Sequence, residues 1–328
     1  MKVIKKIIVA LIVFFLLNQL YKHHALLVFA EKHADQYLQL HKIKNCDVIY
    51  FSASSNFPPE NIEEKDPRKI SQFIADHYPN LRFDAVNKPA SHAAMYLALL
   101  EMLPENAEAK RFIITMNLRS FGPSWINSDL ESALSQSSVF YNKRPVLFNR
   151  FLVSLNAYDQ KSTVERQELV KVHWNHDQLP FEAPKNTVTS WCAVEKWGDW
   201  RNPKRQLADQ YIKQFGFVID EQNPRVKDFD AICNLANERG FQITFNLLAE
   251  NMETADSLIG TDLTSLMKRN AKWLVERYEN KGFTVVNNLE VLGAEHFTDK
   301  NFPTEHYFDT GRKTIAKNVA EALRYEPK

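Results

Sequence analysis

Apolar runs with the composition of strands recur along this chain, separated by segments whose apolar residues have helical spacing. The five runs cover residues 47–51, 81–87, 112–117, 241–248 and 283–288. The first and third are almost continuously apolar, which indicates strands buried on both faces, as in a parallel sheet. The succession of strands and helices therefore predicts an α/β fold with a central parallel sheet.

Six segments between and after these runs have the signals of helices. Asp66 can cap a helix that begins at Pro67 and carries Ile70, Phe73 and Ile74 on one face. The other predicted helices cover residues 91–103, 129–134, 228–239 and 262–281 and a last stretch around 315–323, and Gly240 and Gly282 end two of them.

The first apolar run ends abruptly in Ser52-Ala53-Ser54-Ser55-Asn56. Small polar residues directly after a buried parallel strand lie at the carboxyl edge of the sheet, where α/β proteins bind their ligands. The simpler interpretation is a core strand followed by a serine-rich turn. The remaining motifs decide between the two interpretations.

The N-terminus has the pattern of a membrane anchor. Three lysines precede an apolar run over residues 7–17 that continues to Leu20. We therefore expect an uncleaved signal anchor or transmembrane segment over residues 1–24 and a helical stalk over residues 25–44. The main domain, residues 45–328, would then lie in the periplasm or outside the cell. The alternatives are a cleaved signal sequence and a buried N-terminal helix.

The regular pattern is interrupted at about residues 139–226, which we interpret as an insertion. The four tryptophans of the insertion could stack on sugar rings or lie buried, namely Trp174, Trp191, Trp197 and Trp200. His173 and His176 beside Asp177 lack a second ligand group at a recognisable spacing, so we predict surface histidines and no metal site. The net charge of +1 supplies no field that would attract nucleic acid.

Three polar residues are predicted to meet at the carboxyl edge of the sheet. Ser54 follows the first strand, Asn117 ends the third, and His306 precedes the last helix. Acyl transfer needs these groups, because a hydroxyl attacks, an imidazole takes its proton, and amide donors hold the developing oxyanion. The simpler alternative is that each residue caps a helix or lies at the surface.

This arrangement resembles the SGNH/GDSL hydrolase superfamily, whose domain is a flavodoxin-like, three-layer α/β/α fold with a parallel sheet. Ser52-Ala53-Ser54 aligns with its Gly-Asp-Ser signature, and Asn117 with its oxyanion asparagine. His306 followed by Gly311 and a helix matches its last motif. The resemblance covers residues 47–117 and 241–323 and implies that Ser54 is the nucleophile and His306 the base.

The chain departs from the family pattern at several positions. Ser52 and Ala53 replace the family's glycine and aspartate, and no glycine occurs at 89–92, so the backbone amides of Ser54 or Ser91 would hold the oxyanion. Pro303 replaces the aspartate that normally lies three residues before the histidine.

Two assignments stay open at this stage. The acid that orients His306 could be Asp299 or Glu305, or a backbone carbonyl could serve instead. Ser55 is the rival nucleophile, because a shift of one residue would exchange it with Ser54.

The resemblance implies a membrane-anchored serine esterase or O-acyltransferase that needs no cofactor and no metal. Its substrate would be an acylated small molecule or a cell-envelope glycan. The alternative is a catalytically inactive module that binds an envelope glycan or protein. The two hypotheses differ in geometry, since an active site requires Ser54 Oγ within hydrogen-bond reach of His306, about 2.6–3.2 Å.

Overall fold

The computed structural model has a central sheet of five parallel strands in the order β2-β1-β3-β4-β5. It describes residues 2–59, 64–105, 107–142, 144–158, 161–194, 197–199 and 201–324. The strands are β1 (Val48–Ser52), β2 (Phe83–Asn87), β3 (Arg111–Met116), β4 (Gln242–Leu247) and β5 (Thr284–Asn287). The predicted α/β class and parallel sheet are confirmed.

Fifteen α-helices and three short 3-10 helices surround the sheet in the described residues. The α-helices are α1 (Lys2–His24), α2 (Leu26–His33), α3 (Asp35–Ile43), α4 (Ile70–Asp76), α5 (Ala93–Met102), α6 (Pro123–Ile126), α7 (Asp129–Tyr141), α8 (Val146–Ser154), α9 (Thr163–His176), α10 (Val188–Cys192), α11 (Pro203–Phe215), α12 (Pro224–Arg239), α13 (Met252–Ile259), α14 (Thr261–Glu279) and α15 (Asp309–Arg324). The 3-10 helices are Ser54–Asn56, Leu118–Phe121 and Ala294–His296.

The two faces of the sheet pack into two separate apolar clusters. Ile49 and Phe51 of β1 belong to the larger cluster, with residues of α5, α12 and α14. Val48 and Tyr50 point to the smaller cluster, which includes residues of α4 and α15. Successive side chains of a strand point to opposite faces, so helices on both sides require the continuously apolar run seen in the sequence.

A chain of buried polar groups links four strands near their carboxyl ends. Thr115 Oγ1 donates to the Tyr50 hydroxyl at 3.1 Å, and Asn246 Nδ2 donates to the same oxygen at 2.9 Å. Asn288, directly after β5, donates to Asn246 Oδ1 at 2.9 Å. A slip in strand register would leave these buried groups unpaired. The series of hydrogen bonds therefore fixes the register in which the strand ends align.

The predicted start of α4 is wrong. The helix begins at Ile70 and not at Pro67, and Lys69 occupies the N-cap position. The Asp66 carboxylate instead accepts hydrogen bonds from the Arg68 side chain, at 3.0 and 2.9 Å. A local side-chain bond has therefore replaced the predicted cap.

The middle insertion is largely helical. It contains α8 to α11, which the weak apolar periodicity of residues 139–226 did not predict, because a helix such as α9 buries only Arg166 and Val170. Trp191 is buried and its ring lies 5.2 Å from that of Phe181. Trp174 and Trp197 pack partly against the core, and Trp200 lies outside the described residues.

The N-terminal segment has two parts with different surroundings. Helix α1 is long and apolar enough to cross a membrane, and most of its side chains are exposed. The segment predicted as a stalk, 25–44, forms α2 and α3, which pack against the domain rather than standing apart from it. The Gln39 side chain both accepts from the Asn87 amide at 2.8 Å and donates to its carbonyl at 3.1 Å, which caps the edge strand β2.

Candidate active site

Ser54 and Asn117 leave neighbouring strands at the same level. Ser54 begins the 3-10 turn after β1, and Asn117 directly follows β3. Phe51 of β1 is in register with Ile114 of β3. Ser54 lies three residues after Phe51, and Asn117 lies three residues after Ile114. Because β2 and β3 flank β1 on opposite sides, the connections after β1 and β3 diverge and leave a crevice between them.

The imidazole of His306 connects Ser54 to a carboxylate. The Ser54 Oγ lies 3.0 Å from His306 Nε2, and His306 Nδ1 lies 2.9 Å from Asp299 Oδ2. Thr304 Oγ1 donates to the same Asp299 oxygen. The three groups therefore have the connectivity of a nucleophile, a base and an orienting acid.

A hairpin-like loop explains why the acid lies seven residues before the histidine. Phe297 and Tyr307 form an antiparallel bridge, and the Thr298 amide donates to the His306 carbonyl at 3.0 Å. The backbone pairing on both sides of the turn places Asp299 beside His306. In the family that the sequence resembles, the acid lies three residues before the histidine, a position that Pro303 occupies here. A Cβ at Gly311 would lie 3.2 Å from Tyr307 Cβ, so glycine lets α15 approach this loop closely.

Glu305, the other acid proposed for orienting His306, points into the protein. Its carboxylate forms a buried, bidentate ion pair with Arg119, with Nε–Oε1 and Nη2–Oε2 distances of 2.5 and 2.6 Å. Burial acts to raise the pKa of Glu305, but the charge and hydrogen bonds of Arg119 outweigh it and hold that pKa below its ordinary value. The Arg119 guanidinium also lies over the rings of Trp125 and Phe302.

Ser55 and Ser91 have surroundings different from that of Ser54. Ser55 is buried, and its Oγ has no hydrogen-bond partner among the described residues. The Ser91 amide donates to the Lys88 carbonyl at 3.2 Å, and its Oγ accepts from Gln36 at 2.9 Å. The amide of Ser91 is therefore already used within its own turn.

The Ser54 amide and the Asn117 side chain are the other candidates for holding the oxyanion, and both follow strand ends at the same edge of the sheet. Ser54 is the first residue of its 3-10 turn, and within the described ranges its amide makes no hydrogen bond. The Asn117 carbonyl accepts from the Ser120 amide and hydroxyl, at 3.1 and 2.7 Å, which fixes the turn after β3. The buried Asn117 Oδ1 has no partner among the described residues.

Two asparagines hold the Ser54 turn in place. Ser52 Oγ and Asn56 Nδ2 both donate to Asn87 Oδ1, the latter at 2.5 Å. Asn56 Oδ1 accepts from the Ser71 amide at 2.8 Å, which connects the turn to α4. Sequence reasoning assigned no role to Asn56 or Asn87. The one available signal was the side-chain amide of Asn87 at the end of the second apolar run.

Glu250 lies in the same buried cluster as Glu305 and Arg119. Burial raises the pKa of Glu250 well above its ordinary value, and the charge of neighbouring Glu305 raises it further. Its Oε1 has no partner in the described part of the chain, which suits a neutral carboxyl group. The environments of the two acids therefore shift their pKa values in opposite directions.

Replacing Glu250 by glutamine is expected to flatten the pH dependence of stability above pH 4.5. The folded-state pKa of Glu250 is raised, so its contribution is full below the ordinary value of 4.5 and is lost as pH rises through the folded-state pKa. Glu305 has a lowered pKa, so its contribution is present above 4.5 and lost as pH falls. Urea unfolding of both proteins between about pH 5 and about pH 8 tests this difference, and parallel stability curves would contradict it.

The histidine pair of the insertion has no metal-binding geometry in the described residues. His173 Nδ1 lies 2.9 Å from Asp177 Oδ2 across one helical turn, and both side chains are exposed. The part of the chain that the structure describes contains no group of three or more His, Cys, Asp or Glu side chains placed to hold a metal ion.

The polar groups at the carboxyl edge of the sheet thus supply a hydroxyl, an imidazole and a carboxylate in one connected series. Ser54, His306 and Asp299 are all partly exposed, so an acyl compound can reach the hydroxyl from solvent. No protein-family model matches this chain, and no curated protein matches it.

Proposed function

We propose that the protein is a membrane-anchored serine esterase or O-acyltransferase of the SGNH type. The observation that carries the proposal is the continuous series of hydrogen bonds from Ser54 through His306 to Asp299. The strand order 2-1-3-4-5 is that of flavodoxin-like sheets, and Ser54 lies at the β1/β3 switch point where such sheets bind ligands.

The chemistry follows from the position of each group. Ser54 Oγ attacks the acyl carbon while His306 Nε2 takes its proton, and His306 then returns the proton to the leaving oxygen. Asp299 holds the imidazole in the tautomer that presents a free Nε2 to the serine. The Ser54 amide and Asn117 are the donors proposed for the oxyanion.

The proposed location and substrate class rest on α1 and on the open site. An apolar N-terminal helix of 23 residues is long enough to cross a bilayer, since about 20 residues suffice. With the domain in the periplasm or outside the cell, acyl esters of envelope glycans are the substrates within reach. The 3.0 Å contact between Ser54 and His306 favours this function over an inactive glycan-binding module.

A phosphonate probe tests the proposal directly. The full-length protein in detergent is treated with a fluorophosphonate, and its peptides are analysed by mass spectrometry alongside p-nitrophenyl acetate turnover. We expect one adduct, on Ser54, and loss of turnover in proportion to labelling. A folded protein with neither adduct nor turnover would overturn the proposal. Adding a polyol acceptor then separates transfer from hydrolysis.

Asp299→Asn is expected to lower kcat by about 10²-fold or more while KM changes little. The amide can donate to His306 Nδ1 and so stabilises the tautomer that cannot accept the serine proton. Thr304→Val is the matched comparison, because it removes only the hydroxyl that supports Asp299, and its expected loss is about tenfold at most. Equal kcat values for Asp299→Asn and the unchanged protein would exclude Asp299 as the orienting acid.

A further inference from the structure

Helix α8 exposes an apolar surface to solvent. Phe148 and Phe151 lie in the helix and Leu155 is its C-cap residue, and 39%, 56% and 61% of their surfaces are exposed. We call these three residues the α8 apolar face. Three large apolar side chains at helical spacing form a continuous stripe, which a domain surrounded only by water rarely exposes.

The opposite side of α8 fixes this orientation. Asn149 is fully buried, and its Nδ2 donates to the carbonyls of Phe140 and Asn142 at 3.1 and 2.7 Å. Val153, one turn farther, is also buried. Rotating the helix to hide its apolar face would break the Asn149 hydrogen bonds, so the outward stripe is a fixed feature of the fold.

Helix α8 packs directly against α1. The Leu147 amide at the start of α8 donates to Asn18 Oδ1 of α1 at 3.0 Å. Phe14, Asn18 and Tyr21, which share one side of α1, are partly buried, whereas most other residues of α1 are exposed. Among the described residues, Asn18 is the α1 side chain that hydrogen-bonds the domain, and it faces α8.

The hydrogen bond between Leu147 and Asn18 sets the depth of α8 relative to a membrane that α1 would cross. Asn18 lies six residues before His24, the end of α1, which is about 9 Å along the helix axis. The apolar run of α1 continues to Leu20. If α1 crosses a bilayer, the start of α8 must therefore lie at the boundary between hydrocarbon and headgroups.

The charges around α8 suit the headgroup region. Arg144 precedes α8 and Arg150 lies within it, α8 itself contains no acidic residue, and Lys22 lies near the end of α1. The Arg150 guanidinium lies 4.3 Å above the Phe29 ring of α2, beside the end of α1. Basic residues beside an apolar stripe are the pattern of helices that lie in the membrane interface.

We propose that α8 is an interfacial helix that inserts Phe148, Phe151 and Leu155 into the leaflet from which α1 emerges. The inference rests on the membrane anchoring included in the proposed function, but not on the acyl-transfer chemistry. It implies that α1 and α8 bind the bilayer together, so that the catalytic domain has one fixed orientation on the surface instead of turning freely on its anchor.

Photo-cross-linking of the full-length protein tests this contact. The photoreactive residue p-benzoylphenylalanine replaces Phe151, or Phe148 in a second variant, in vesicles of phosphatidylethanolamine and phosphatidylglycerol. Leu11 in the exposed part of α1 is the positive position. Lys272, exposed on α14 beside β5 at the far end of the sheet from β2, is the matched negative position.

We expect lipid adducts at Phe151 and Phe148 in a yield at least about tenfold above that at Lys272. Lipid adducts at Leu11 but at neither α8 position would overturn the proposal and leave the anchor intact. A cross-linked dimer at Phe151 would overturn it in favour of a second copy. Absence of lipid adducts at Leu11 would overturn both the anchor and the α8 proposal. Phosphonate labelling of Ser54 tests the acyl-transfer chemistry independently of either result.

Discussion

Ser54→Ala is expected to lower kcat/KM for p-nitrophenyl acetate by about three orders of magnitude or more and to abolish the phosphonate adduct. The Ser54 hydroxyl is the oxygen that lies 3.0 Å from His306 Nε2, so its loss removes the proposed nucleophile and leaves the proposed base without a proton to take. The measurement is initial-rate kinetics on the full-length protein, with its fold checked by thermal unfolding.

Ser55→Ala is the matched control for this prediction. Ser55 is adjacent in sequence and equal in size, but it is buried and its Oγ bonds to none of the described residues. Its replacement should leave kcat/KM within about twofold, since no described interaction of the hydroxyl is lost. The reverse result, activity lost with Ser55 and kept with Ser54, would move the nucleophile by one residue.

Glu305→Gln is expected to lower the free energy of unfolding by about 3–5 kcal/mol, because it removes the bidentate carboxylate and leaves Arg119 with Glu250, an acid of raised pKa, as the remaining acid of the cluster. Both side chains of this pair are less than a tenth exposed, so solvent cannot replace the lost partner. Arg119 lies two residues after Asn117, and Glu305 lies directly before His306. The pair therefore ties the loop after β3 to the histidine loop, and we expect kcat to fall in the variant as well.

The double variant Arg119→Met/Glu305→Gln separates loss of a charge pair from loss of packing. Removing both charges removes the unpaired cation, so the double variant should be more stable than Glu305→Gln alone. Urea unfolding of the two single variants and the double variant measures the coupling. A cost below about 1 kcal/mol for Glu305→Gln would contradict the expected strength of the pair and show that water or an ionised Glu250 compensates the Arg119 charge.

The strands were predictable because they are buried on both faces. Each of the five apolar runs overlaps a strand of the sheet, with ends that differ by at most two residues. Helices α12 and α14 were also recognisable, since each has an apolar face or a glycine at its end, and Gly240 has the left-handed conformation of a C-cap. Helices α8, α9 and α10 were missed because each buries only two residues. Helix α11 was missed although it buries four apolar residues at helical spacing.

The site was only partly predictable for a different reason. Ser54 and His306 could be chosen from motifs because each lies beside a regular element, a strand end or a helix start. Asp299 could not be separated from Glu305, since both lie near His306 in sequence and only the folded loop decides which carboxylate faces the imidazole. Arg119 had no signal, because its partner lies 186 residues away.

The sequence alone thus determined the parallel α/β sheet, the long apolar N-terminal helix and the place of a serine at the carboxyl edge. These properties depend on local periodicity, which a linear pattern records. Tertiary structure alone decided that Asp299 reaches His306, that Glu305 pairs with Arg119, and that α8 turns its apolar face outward beside α1. Those contacts join residues distant in the chain, and their burial and direction arise only when the elements pack.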